Sequence, residues 1–205
     1  MIRSLVSVSV LSLALAACGA GSDKAEAPLP EGAWQLAADQ SNVGFVSVKA
    51  GNVGEAHSFK KLSGSVEPDG TVAVAIDLAS VDTGIDIRNQ RMRDMLFEVA
   101  NFPDAKLTAK IDPNAIKALK PGERKTMAVP VTLDLHGTTN SIEAPLTVTR
   151  LAGVSVLVET AKPLIIDASA VGLEAGVGKL QEVAKLPAIS TAVPVTASLV
   201  FKPKG

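Results

Sequence analysis

From about residue 32 onward, Val, Ile, Thr and Leu recur in short runs that alternate with polar residues, each run bounded by Gly, Pro, Asn or Asp. Strand side chains point to opposite faces in turn, so this period of two marks half-buried strands and leaves little room for long helices. Val43-Gly44-Phe45-Val46-Ser47-Val48 is one run, and His57 to Glu67 is a second. Pro68-Asp69-Gly70 supplies a turn, because Pro presets φ and Gly accepts the left-handed region. Thr71 to Leu78 (TVAVAIDL) then reads as the returning strand. Further runs lie at Ala105-Ile111, Met127-Leu135, Ser141-Arg150, Val154-Ala161 and Ala192-Phe201. About eight antiparallel strands predict an all-β fold, a sandwich or a closed barrel, and periodicity does not separate the two.

Three segments break the alternation. Gly84 to Val99 places Ile85, Met92, Leu96 and Val99 near helical spacing, which predicts an amphipathic helix over an opening of the sheet. Asp112-Pro113 ahead of Ala115 to Leu119 predicts a short capped helix with Pro in its first turn. Gly178 to Leu186 puts Leu180, Val183 and Leu186 on one face, and Pro187 ends it. All three read as lids or plugs.

The first residues have a different character. Arg3 precedes an uncharged stretch from Ser4 to Ala17 that is too short to span a bilayer, the layout of a secretory signal. The stretch ends Leu15-Ala16-Ala17-Cys18, and Cys18 is the only cysteine. This ending resembles the lipobox of bacterial lipoproteins, in which the cut falls before the cysteine and acyl chains are then added to it. Ordinary cleavage after Ala16 is the alternative, and it leaves a free thiol in an exported protein. Two or more acyl chains anchor a protein firmly to a membrane surface. Gly19, where retained lipoproteins of some bacteria have Asp, points to the outer membrane. The expected organisation is a leader over 1–17, a lipidated Cys18 with a flexible tether over 18–31, and one domain over 32–205. The tether is small, polar and proline-containing, with a random-coil reach on the order of 20 Å.

Composition removes several function classes. The net charge of −1 favours neither nucleic acid nor anionic lipid. Five Phe, one Trp and no Tyr are poor material for stacking platforms. Asp82-Thr83-Gly84 resembles an aspartic-protease triplet, but that chemistry needs two carboxylates and the triplet occurs once. Local hydrogen bonding at a helix start suits Asp82 better. A Ser-His-Asp hydrolase would have to use His57 or His136, the only histidines, and no G-x-S-x-G motif accompanies them. The same scarcity argues against a metal site. A non-enzymatic protein without a cofactor is expected.

Several spaced motifs resemble the YceI family. Trp34-Gln35-Leu36 with Asp39 and Ser41 to Phe45 is similar to its opening, and His57-Ser58-Phe59 with Gly64-Ser65-Val66 to its second strand. Leu78 to Gly84, then Arg88, Met92-Arg93, Phe97 and Asn101-Phe102-Pro103, resembles the family's most specific segment. Val131 to Thr139 is similar to a later strand and turn. Asn89 stands where the family commonly has Asp, and Arg91 where it has His. The resemblance, over about Trp34 to Phe201, implies an extended eight-stranded antiparallel lipocalin-like barrel in the periplasm. It also implies an apolar channel for a polyisoprenoid, a quinone or a fatty-acid-like lipid. Candidate lining residues are Phe45, Phe59, Ile76, Met92, Met95, Phe97, Phe102, Leu133 and Leu135, each of which plain core packing would also explain. Arg88, Arg93 and His136 are candidates to meet a polar head group. The expected role is storage or transport of such a lipid by a membrane-tethered protein of the cell envelope. The alternative is an envelope interaction module whose barrel is filled by its own side chains. Oligomeric state is left open.

Overall fold

In the computed structural model the described residues are 28–205, so the leader, Cys18 and the first part of the tether lie outside them. Twelve strands make a barrel of eight passes. β1 (Trp34–Leu36) and β2 (Asn42–Lys49) form the first pass, β3 (Val53–Phe59) and β4 (Leu62–Val66) the second, and β5 (Thr71–Asp77) and β6 (Val81–Asp82) the third. β7 (Asp104–Lys110), β8 (Arg124–Leu135) and β9 (Thr138–Arg150) are single. β10 (Val156–Thr160) and β11 (Leu164–Asp167) make the seventh pass, and β12 (Ala192–Pro203) the last. Each pass pairs antiparallel with the next in the sequence. β12 then returns to the first pass, with Leu36 opposite Phe201 and Val43 opposite Ala197. That closure decides for the barrel over the sandwich and removes the sheet edges.

The run His57 to Glu67 is two strands and not one. Lys60 and Lys61 interrupt it opposite a turn at Leu78–Ser80, where Lys60 N–H donates to Ser80 O and Asp77 N–H to Lys61 O, both at 3.1 Å. Two neighbouring passes thus bend together, and the ladder stays satisfied across the bend. The turn at Pro68-Asp69-Gly70 forms as expected. Gly70 has φ +83°, and a Cβ there would sit 2.1 Å from Ile111 O, so only glycine fits. Asp69 accepts from Lys110 Nζ and from the Thr71 backbone, which together hold its carboxyl down at about 2.

The three helical segments exist with shifted bounds. α1 (Asp86–Arg91) continues as a π-turn over Met92–Leu96, closed by Phe97 N–H donating to Met92 O at 2.9 Å. Ile85 lies ahead of this helix and is 48% exposed, outside the apolar stripe expected of it. α2 (Pro113–Lys117) is capped by the Asp112 carboxylate, which accepts from Asn114 N–H. α3 (Glu174–Val183) starts earlier than the apolar spacing indicates and ends before Leu186. Gly176 explains the early start. A Cβ there would meet Leu96 Cα at 2.8 Å, so glycine lets α3 lie directly against the π-turn.

One cluster of buried side chains fills the end of the barrel under the helices, with Leu78, Val81, Leu96, Phe97, Val171 and Leu173 among its members. A smaller one at the opposite end joins Leu29, Leu119, Val148 and Val156. Leu29, near the end of the expected tether, is thus buried against the barrel.

Candidate functional site

Inward positions of a closed barrel follow the period of two, and β8 shows it plainly. Met127, Val129, Val131, Leu133 and Leu135 all face one interior cavity of about 350 Å³. These eight steps cover about 27 Å of strand at ~3.4 Å each, or roughly 20 Å along the axis at the usual tilt. Ile142, Ala144, Leu146 and Val148 continue the wall on β9, and Val195, Ala197, Leu199 and Phe201 on β12. Apart from Thr108, Thr160 and the polar residues of one end, the wall is aliphatic and aromatic. Among the described residues the only charged ones that line it are Glu67 and Lys117.

Those two charges distinguish the ends. The end beneath α1 and α3 is sealed: Leu78 is 1% exposed, Val171 2% and Phe97 4%. At the other end Glu67 and Pro68 come from the β4–β5 turn, Pro113, Ile116 and Lys117 from α2, and Gly32 from the approach to β1. Glu67 and Pro68 are exposed there, and Ile116 and Lys117 half-buried. A long apolar slot closed at one end and polar at the other suits one chain-like amphiphile.

Of the lining residues expected from the sequence, Phe45, Phe59, Ile76, Phe97, Leu133 and Leu135 face the cavity. Met92, Met95 and Phe102 do not. The π-turn adds a residue to the helical repeat, so Leu96 and Phe97 turn inward while Met92 packs in the surrounding core. Phe102 lies beyond the helix with its ring 4.3 Å from that of His136, beside a separate small polar pocket.

The expected head-group residues are also elsewhere. Arg88 donates to Glu55 Oε2 at 2.8 Å and to Thr83 O at 2.7 Å, and so ties α1 to β3. Lys49 and Arg88 together hold the Glu55 carboxyl below its ordinary range. Arg93 is half-buried on the π-turn, away from the cavity. His136 sits at the β8–β9 turn with φ +51°, near Glu98. All three belong to the sealed end. The polar groups at the opposite end, Glu67 and Lys117, escape sequence reasoning because a turn and a short helix some fifty residues apart supply them. The other wall positions of β8, Met127, Val129 and Val131, were detectable, since they share the parity of Leu133 and Leu135.

Asp82 and His57 both have local partners. Asp82 Oδ1 accepts from Gly84 N–H at 2.9 Å, and this bond, followed by the Lys60 ion pair, lowers its carboxyl. His57 is buried beside Phe45 with its Nε2 2.8 Å from Ser47 Oγ, but no hydrogen-bond partner meets its Nδ1. A triad needs that nitrogen oriented by a carboxylate. Among the described residues no group of His, Cys, Asp or Glu is placed to hold a metal ion, and no helix is long and apolar enough to cross a membrane.

Fold and cavity together define a lipocalin-like barrel with an apolar internal channel. The YceI-like domain family matches residues 34–201, and the chain belongs to that family. A polyisoprenoid-binding domain from Saccharophagus degradans, implicated in plant cell wall breakdown, is 42% identical, with a TM-score of 0.83 over 85% of this chain and 100% of that one. BcnA of Burkholderia cenocepacia is 24% identical, with a TM-score of 0.61 over 80% and 98%. A YceI protein of Campylobacter jejuni is 18% identical, with a TM-score of 0.54 over 73% and 85%. These last two are alike in fold alone. No curated protein matches the chain.

Proposed function

We propose that this protein binds one long apolar lipid of isoprenoid type inside the barrel. It stores or carries that lipid in the bacterial cell envelope, without catalysis, and is held at the membrane by acyl chains on Cys18. The observation that carries the reading is the cavity itself, about 350 Å³ walled by aliphatic and aromatic side chains, with charge at one end only. Ten buried methylenes at ~0.8 kcal/mol each supply about 8 kcal/mol before ordering costs, so net micromolar affinity takes a longer buried tail. The Saccharophagus degradans relative, described as a polyisoprenoid-binding domain, supports the ligand class.

The test is mass spectrometry of an organic extract of the chain from Gly19 onward, purified from a bacterial periplasm without detergent. The ring of strands is complete within Trp34–Pro203, so that chain keeps every strand. A stoichiometric prenyl lipid or quinone is the expected result. An empty extract from well-folded protein would turn the assignment toward an envelope interaction module.

A further inference from the structure

Leu29 is 6% exposed and lines the cavity, in one apolar cluster with Val148 and Val156 against which Trp34 and Met127 pack, all of them cavity-lining too. Its side chain therefore occupies the polar end of the channel, the end that is not sealed. Pro28 and Pro30 flank it. Neither has an N–H, so the segment enters an apolar site with fewer donors to satisfy. One residue on, the exposed Glu31 carboxylate pairs with Lys117 Nζ, which neutralises the one cation that the described residues give the channel wall. Next comes Gly32, with φ +109° and open space where a Cβ would stand, a conformation that glycine adopts without strain. Firm attachment starts at Ala33, whose carbonyl accepts from Lys204 N–H at 2.9 Å.

We infer that Pro28–Glu31 is a stopper: Leu29 holds the channel entrance shut, Gly32 is its hinge, and an incoming lipid tail displaces it. Displacement also parts Glu31 from Lys117 and leaves the ammonium free for the polar end of the ligand. The stopper presupposes the lipid-binding reading, and its signature is a sign. If Leu29 must leave, shortening it strengthens binding. If Leu29 is merely wall that the lipid packs against, shortening it weakens binding.

Trp34 is the only tryptophan of the chain, packs against the cluster that holds Leu29 and lines the cavity, so energy transfer from it reports occupancy. The probe is N-phenyl-1-naphthylamine, uncharged and brighter in apolar surroundings, with geranylgeraniol as competitor. The chain from Gly19 onward is compared with Leu29→Ala and Glu31→Gln. Leu29→Ala removes three buried carbons, so tighter or faster uptake is expected, up to roughly fiftyfold if the whole burial is relieved. Glu31→Gln, at a side chain 85% exposed, leaves the packing intact and is expected to speed uptake severalfold. Uptake by all three proteins with Leu29→Ala equal to or weaker than the parent would overturn the stopper and leave lipid binding standing. No uptake by any of the three, all folded by circular dichroism, would overturn lipid binding and the stopper together.

Discussion

Filling the channel separates a hollow barrel from a packed one. Ala144 is 2% exposed, lies midway along β9 opposite Val129, and contributes a small side chain to the cavity wall. Ala144→Phe directs a ring into the space. Voids in protein interiors cost about 24 cal/mol per Å³, so a side chain that takes up about a quarter of the 350 Å³ recovers roughly 2 kcal/mol. For a domain of this size that gain corresponds to a rise of about 4–8 °C in Tm. The same ring obstructs a tail threaded past Ala144, so uptake of N-phenyl-1-naphthylamine should fall at least tenfold. Thermal unfolding by circular dichroism and the Trp34 fluorescence titration are run on the same samples. Stability raised or unchanged, together with lost uptake, is the expected pair. In a barrel already full of its own side chains the ring would be overpacked, at a cost of about 1–3 kcal/mol. A Tm lowered to that extent with uptake unchanged would refute the hollow channel.

Two further expectations concern the sealed end. Burial first, and then the Arg88 and Lys49 charges, hold His57 below its ordinary 6.5, while Glu55 and Asp82 pull it upward and Ser47 Oγ faces its Nε2. The unfolded chain takes up this proton near 6.5 and the folded chain resists it, so the His57 contribution is intact above that pH and is lost as pH falls toward the folded value. Unfolding midpoints at pH 7.5 and 5 should therefore differ less in His57→Gln than in the parent, and an equal difference would sink this account. Gly176→Ala puts a methyl 2.8 Å from Leu96 Cα and 2.9 Å from Met95 O, so α3 must shift from the π-turn. A loss of about 1–3 kcal/mol is expected in denaturant unfolding, and an unchanged midpoint would mean that α3 is not seated there.

The strands were legible because their period is strong and their turns have a mechanism: Pro68-Asp69-Gly70 and the alternation through Met127–Leu135 lie where the residues place them. Four features were hidden by competing physics. The bend at Lys60-Lys61 depends on a matching bend at Leu78–Ser80, which is a tertiary pairing without a local signal. The early start of α3 was masked by Gly176 and Gly178, poor helix formers of which Gly176 is required by close packing. The π-turn moves Leu96 and Phe97 inward at the expense of Met92 and Met95, and a regular 3.6-residue repeat cannot foresee it. Leu29, a lone apolar residue between prolines, reads as linker until the barrel end that receives it exists. The parts of the site that escaped prediction are those assembled from distant segments, above all the Glu67 and Lys117 end.

Every neighbour in the ring is also a neighbour in the chain except one pair: β12 closes on β1 and β2. Seven steps between successive passes can thus zip in order, four over short loops and three across the helical segments, while the last joins residues such as Leu36 and Phe201 across nearly the whole domain. Loop-closure entropy makes that step late and slow. Until β12 arrives the growing sheet keeps an open edge and cannot enclose its apolar interior, so a partly synthesised chain has no finished barrel to fold into. Such a chain stays open and threadable until its final strand is made. It also means that removing the last few residues of β12 should cost the whole fold and not a frayed end.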